Sequence, residues 1–198
     1  ARAYEPLATA LDDRDPQVVG AAALALGAIG DKRAIPAITA ALAHADRSAR
    51  FDAAYALAEL GDPAGRAILA ESLIDPERAW DAVTALGVLG TSDDAEALGR
   101  ALTNRNVPPE ATVLAAGTVY RIPSGSAYHD AARRVLLAGL AARKTHVRGL
   151  AVEQLGAIGA VWAKAPLEKL ARSGKGAELL EAIAGALRAI EEQPDKAT

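Results

Sequence analysis

Leu26-Gly27-Ala28-Ile29-Gly30-Asp31 is a phrase that this chain repeats. It returns as Leu-Ala-Glu-Leu-Gly-Asp at 57–62 and as Leu-Gly-Val-Leu-Gly-Thr at 86–91, so the closing glycines Gly30, Gly61 and Gly90 stand 31 and 29 residues apart. A degraded copy, Ala-Gly-Thr-Val-Tyr, ends at Tyr120 after a further 30 residues. The phrase recurs as Leu-Gly-Ala-Ile-Gly at 155–159 after a longer step of 39, and as Leu-Arg-Ala-Ile-Glu at 187–191 after 32. Self-similarity at this period means stacked repeats, in which each unit buries its apolar face against its neighbours.

The first full copy, 15–44, shows how the unit is built. Asp15 before Pro16 reads as an N-cap followed by proline at the first helical position. Val18, Ala22, Leu26 and Ile29 then form one apolar helical stripe. Gly30 supplies the left-handed residue that ends a helix. Asp31 stands ready to cap a second helix, whose stripe is Ile35, Ile38 and Leu42. The second copy opens at Asp46 and the third at Asp75-Pro76; the fourth opens near Pro108-Pro109 and lacks the closing glycine. The segment from Arg121 to His129 reads as a loop insertion that accounts for the longer step. The chain opens on what reads as a second helix, Glu5 to Leu11, without its partner. It ends on a single helix, Ala177 to Ile190, followed by a polar tail over 191–198 that is expected to fray.

The composition agrees. Alanine, the best helix former, fills about a quarter of the positions, which points to an all-α protein with closely packed helices. No apolar run reaches the ~20 residues needed to span a bilayer. A net charge of −3 gives no global attraction to nucleic acid or anionic lipid. The absence of cysteine excludes disulfides, thiol catalysis and Cys-ligated metals. There is no methionine, so a processed or truncated N-terminus is expected. The start carries no charged-then-apolar leader and the expected compartment is the cytoplasm, although a removed signal peptide would leave no trace.

The pattern resembles the HEAT-like repeats of the phycobilin lyase type over nearly the whole chain. The residues that carry the resemblance are the Asp-Pro start, Ala21-Ala22-Ala23 with Ala25-Leu26-Gly27, the Ile29-Gly30-Asp31 close, and Ala34-Ile35-Pro36-Ala37. That family places Val-Arg early in the first helix; Val147-Arg148 fits fully and Ala49-Arg50 fits half. The implied fold is an α-solenoid of about five HEAT-like helix pairs with terminal half-repeats, a single array over 1–198. Scaffolds, lyases and hydroxylases share this pattern, so function must be read from individual residues.

His44, His129 and His146 have no i, i+4 partner of the kind that builds a metal face, and they read as surface or capping residues. HEAT-like hydroxylases that bind iron use His-Glu pairs; this chain has His44-Ala45, His129-Asp130 and His146-Val147 instead. No metal, cofactor or catalytic residue is expected. Asp52 and Asp81 both stand at the site held by Ala21 in the first copy. They read as a ladder between repeats satisfied by Arg50, Arg78 or a backbone amide, the alternative being an acid–base pair or a cation site.

The aromatic residues carry the sharpest functional expectation. Two first-helix positions are expected to face solvent, and in successive copies they hold Gly20 and Leu24, Phe51 and Tyr55, Trp80 and Thr84, Glu110 and Leu114, Gly149 and Glu153, and Glu181 and Gly185. The outcome is an outer stripe of Leu24, Phe51, Tyr55, Trp80 and Leu114, a surface suited to a protein partner. Alternatively these are core side chains, or an upstream segment covers them. Outward positions on the second helices are Ala40, Glu71, Arg100, Ala138 and Lys169, a mixed set lining the concave groove. Between Ala131 and Val152 there is no acidic residue, while Arg133, Arg134, Arg143, Lys144 and Arg148 form a candidate patch for an anion or acidic partner. The leading expectation is a non-catalytic adaptor that binds another protein through the stripe, the groove or both. The alternatives are a tetrapyrrole-binding subunit of the phycobilin lyase type, with Arg133 or Arg134 on propionates and Asp52 or Asp81 on pyrrole nitrogens, and, more weakly, nucleic-acid binding through the 133–148 patch.

Overall fold

Each copy of the repeated phrase closes a helix in the computed structural model, which describes residues 4–192. Gly30, Gly61, Gly90 and Gly159 adopt positive φ values of 74°, 77°, 61° and 67°. A residue with a Cβ is strained there, which is why the phrase keeps glycine at that position. Among the described residues the structure is entirely helical, with twelve α-helices and no strand.

The chain divides into two compact units, 1–90 and 91–198. In the first, α1 (Tyr4–Ala10) precedes two helix pairs, α2 (Pro16–Ile29) with α3 (Ile35–Ala41) and α4 (Arg47–Glu59) with α5 (Arg66–Ser72), and then α6 (Ala79–Leu89). The second unit contains α7 (Ser92–Ala101), α8 (Pro109–Arg121), α9 (His129–Leu140), α10 (Thr145–Ala157), α11 (Lys164–Ala171) and α12 (Leu180–Glu192). The helices follow in the order expected from the sequence, beginning with the single helix α1 and ending with the single helix α12.

In the first unit α2 packs on α4 and α4 on α6. Small side chains make this close stacking possible. Ala22, Ala23 and Leu26 from α2 and Ala49, Ala53, Ala56 and Leu57 from α4 belong to one buried cluster. A leucine such as Leu57, fully buried there, contributes about 2–5 kcal/mol relative to alanine. In the second unit α8 packs on α9 and α10, and α10 on α12.

The caps follow the sequence with local changes. Asp15 Oδ1 accepts a hydrogen bond from the Gln17 amide at 2.9 Å. Asp31 and Asp62 cap 3-10 turns, Lys32–Ala34 and Pro63–Gly65, that precede the second helices rather than the helices themselves. Asp75 holds the Glu77 amide at 3.0 Å and α6 begins only at Ala79. Thr91 and Asp94 form a capping box that starts α7 directly.

The segment expected as a loop insertion at 121–129 is ordered differently. Arg121 ends α8, Pro123–Tyr128 forms a 3-10 helix, and His129 begins α9. Ile122 and Gly125 are buried, and the Tyr128 ring lies against Gly99 of α7, where a side chain would not fit. Apolar anchoring at both ends holds the segment in place. At the C-terminus, Gly174–Leu179 is a 3-10 helix and α12 extends to Glu192, so the tail expected over 191–198 lies beyond the described residues from 193 onward.

Candidate functional site

The outward side of α2, α4 and α6 brings the expected stripe residues of the first unit together with carboxylates. On α2, Gly20, Leu24 and Gly27 follow one another along the helix. A Cβ on Gly20 would overlap the Asp52 carboxylate, and one on Gly27 would sit 2.8 Å from Glu59 Oε2. The two glycines therefore let α4 lay Asp52 and Glu59 across α2. Tyr55 lies between these two on α4 and is half-buried. Burial pushes the Tyr55 hydroxyl above its ordinary pKa, and the charges of Glu59 and Asp81 push the same way. Burial also raises the Asp52 carboxyl; Arg78 opposes that rise, while Asp46 and Asp81 add to it.

The five residues expected on one exposed stripe do not share one environment. Leu24 is 36% exposed and Trp80 45%, but Phe51 is 5% exposed and Leu114 8%. Phe51 is covered by Arg78, whose guanidinium carbon lies 5.2 Å from the ring centroid. Arg78 is held in that position by the Arg47 carbonyl at 3.3 Å and by the Ser48 hydroxyl. Leu114 lies on α8 in the second unit, within a run from Val113 to Val119 that is buried throughout. The exposed part of the stripe is thus Leu24 and Trp80, with Tyr55 partly open. Val88, 58% exposed on α6, extends it and was missed. It stands at the register of Glu59, two residues before the closing glycine, which is the signal that places it on this side.

Of the partners expected for Asp52, namely Arg50, Arg78 or a backbone amide, Arg50 is turned elsewhere and Arg78 is the neighbour. Arg50 Nη1 instead donates to the carbonyls of His44 and Ala45, both at 2.8 Å, and ties down the turn before its own helix. Arg78 supplies the favourable charge beside Asp52, and no hydrogen bond reaches the Asp52 carboxylate among the described residues.

The basic patch of the second unit is smaller than its residue count. Arg148 is buried and donates to the carbonyls of Ala142 (2.9 Å) and Arg143 (2.8 Å) and to Thr145 Oγ1 (2.9 Å). It does for α10 what Arg50 does for α4, at the same register, so it is a turn latch and not part of an open patch. The Val-Arg signature at 147–148 carried that information in the sequence. Lys144 Nζ lies 3.3 Å from Glu110 Oε1, which also receives His146 Nε2 at 2.7 Å. Arg133 covers the Trp162 ring at 4.8 Å. Arg134 and Arg143 remain exposed, though the Arg143 carbonyl accepts from Arg148.

The other histidines have local roles. His44 Nδ1 accepts from the Asp46 amide at 3.0 Å. His129 stacks on Tyr120 with ring centroids 4.1 Å apart, and its Nε2 is buried without a hydrogen bond. No group of three or more His, Cys, Asp or Glu gathers as a metal site among the described residues. The second-helix positions Ala40, Glu71, Arg100, Ala138 and Lys169 are all exposed, as read from the sequence. The second unit also has an apolar groove of about 350 Å³ lined by Leu102, Val107, Val113, Val135 and Val147. No helix among the described residues is long and apolar enough to cross a membrane.

Comparison with known proteins supports the repeat reading. Residues 4–87 match the family described as HEAT repeats. An engineered protein of known structure is similar at 20% identity over 96% of each chain, with a TM-score of 0.60. A chain in the complex of CpcE and CpcF of phycocyanin lyase from Nostoc sp. is 21% identical, with 96% of this chain and 94% of that one covered and a TM-score of 0.54. A second engineered protein is 23% identical over 98% of this chain and 59% of its own, with a TM-score of 0.57. At these identities the likeness is one of fold. No curated protein matches the sequence.

Proposed function

We propose that this chain, with HEAT repeats over residues 4–87 and a HEAT-like fold, is a non-catalytic scaffold that binds a protein partner on the outward side of α2, α4 and α6. The observation that carries this reading is Trp80, 45% exposed, on the same side as the 36% exposed Leu24 and the half-open Tyr55. Large apolar side chains clustered in the open mark contact surfaces, and Trp and Tyr are the residue types that most often anchor them. Phe51, at the register of Trp80, is buried beneath Arg78 and takes no part in the exposed surface. Tagged wild-type chain and a Leu24→Ala/Trp80→Ala variant, matched for helicity and melting temperature, are compared in capture from cell lysate. Loss of a captured protein in the variant supports the proposed face. Equal capture by both sinks it and moves the search to the second-helix side.

A tetrapyrrole-binding role is the second reading, motivated by the fold likeness to the phycocyanin lyase chain. Arg134 is open to receive a propionate, whereas Arg133 is engaged over Trp162. Titration with a linear tetrapyrrole tests it; an unchanged visible spectrum at high protein concentration ends it. The nucleic-acid reading has the least support, because Arg148 and Lys144 are engaged within the fold.

A further inference from the structure

Packing inside the second unit commits some of its cations and leaves others free. Over 91–198 the sequence holds 14 Lys and Arg against 12 Asp and Glu, so the unit has positive charge to spare. Lys144 is taken by Glu110, Lys164 by Glu191 and Arg172 by Glu168. Arg148 holds two carbonyls and Arg133 covers Trp162. Lys169 on α11 and Lys175 in the 3-10 helix that follows it are exposed, and neither makes a hydrogen bond or ion pair among the described residues.

These two lysines line one groove. It lies between α9 and α11, has a volume of about 340 Å³, and takes its apolar wall from Leu137, Leu140, Pro166 and Leu170. No Asp or Glu lines it among the described residues, and Ser173 spends its hydroxyl on the Leu170 carbonyl at 2.7 Å. A ligand therefore meets an apolar trough with two ammonium groups beside it. Leu140 and Leu170 are each 7% exposed, too deep for a flat bilayer surface, so a side chain must project between the helices to reach them. The volume is at the low end of ligand pockets, about 300–1,000 Å³, which suits individual apolar side chains better than a whole cofactor. Two separate cations call for more than the one carboxylate that a fatty acid carries. Arg134, also exposed, stands one turn before Leu137 on α9 and adds positive charge to the same helix.

We propose that this groove docks an acidic amphipathic segment of a protein partner, with its apolar side chains between α9 and α11 and its carboxylates on Lys169 and Lys175. Apolar burial supplies affinity, and the lysines select acidic flanks over neutral or basic ones. Lysine suits this place because its flexible stem packs along the apolar wall while the ammonium group reaches carboxylates at different positions. The groove belongs to the second unit alone, so the proposal does not rest on the face formed by α2, α4 and α6.

The test uses three fluorescein-labelled synthetic octapeptides, glutamate–leucine, glutamate–alanine and glutamine–leucine, with binding followed by fluorescence anisotropy. The glutamate–leucine peptide is expected to bind saturably, and each of the other two at least fivefold more weakly. Lys169→Gln/Lys175→Gln, at two exposed positions, is expected to keep the wild-type melting temperature and to lower affinity for the glutamate–leucine peptide at least tenfold. Leu137→Ala, at a half-buried position in the wall, is expected to lower it at least threefold. Arg100→Gln/Arg188→Gln, which removes two exposed cations outside the groove, is expected to stay within twofold. So is Leu24→Ala/Trp80→Ala in the first unit; if that variant loses the peptide, the binding belongs to the first unit and the groove fails. Equal losses in the two cation variants would reduce the binding to diffuse attraction and overturn the proposal. So would no binding of the glutamate–leucine peptide, equal binding of either counterpart, or unchanged affinity in Lys169→Gln/Lys175→Gln. Displacement of the peptide by octanoate or by phosphatidylserine vesicles at equal anion concentration would assign the groove to a lipid and overturn the peptide.

Discussion

Arg78 reaches back one repeat to cover Phe51, with its guanidinium carbon 5.2 Å from the ring centroid. An aromatic at an outward register is buried by a single side chain 27 residues further along the chain. Removing that cover with Arg78→Ala exposes the ring and loses both cation–π and stem packing, at a cost of about 1–2 kcal/mol. Arg78→Lys recovers only part, because an ammonium lacks the planar face. Urea denaturation of the three proteins measures this; equal midpoints would show that the cover contributes nothing.

Arg148 and Arg134 are separated by function although both counted towards one basic patch. Arg148→Ala leaves the carbonyls of Ala142 and Arg143 without their donor and is expected to cost about 2–4 kcal/mol. Arg134→Ala, at an exposed position, is expected to stay within about 0.5 kcal/mol of wild type. Thermal or chemical unfolding distinguishes them, and similar losses would contradict the latch.

Gly20 is required by Asp52. Gly20→Ala puts a methyl group where the Asp52 carboxylate lies, so it destabilises despite alanine's better helix propensity. In an Asp52→Ala background the same change should be tolerated, giving a favourable coupling of about 1 kcal/mol in a double-mutant cycle. Additive effects would mean that the two helices separate instead of sharing this contact.

Glu110 gives the second unit a pH dependence of known sign. Its hydrogen bond with His146, followed by its own backbone amide, and then Lys144 hold its carboxyl below the ordinary 4.5. A lowered folded-state value means that the stabilisation is complete above pH 4.5 and is lost as pH falls through the folded value. The pair is largely exposed, so the effect is under about 1 kcal/mol. Wild type should lose more melting temperature between pH 6 and pH 3 than Glu110→Gln does; parallel curves would remove Glu110 from the account.

Asp52 works in the opposite direction. Burial raises its carboxyl, so the folded state binds the proton more tightly than the unfolded one and stability declines as pH rises through this range. Asp52→Asn should therefore be at least as stable as wild type at pH 7 in a melting experiment. A clear loss at pH 7 would mean that the charge itself holds α4 and α6 together.

The repeated phrase alone determined the helices, their order and the glycines at which four of them stop. These depend on local causes: a glycine that tolerates positive φ, an aspartate that caps, and an apolar residue every three or four positions. The same local logic located Gly30, Gly61, Gly90 and Gly159, and the terminal helices α1 and α12. Only the tertiary structure decided which outward residues are open. Phe51 and Trp80 share one register, yet Phe51 is buried beneath Arg78 of the following helix while Trp80 is 45% exposed. Arg148 and Arg134 were both plain cations in the sequence until packing enclosed one of them among carbonyl groups. Periodicity is a property of neighbours along the chain, whereas exposure depends on which side chain another helix brings across the gap.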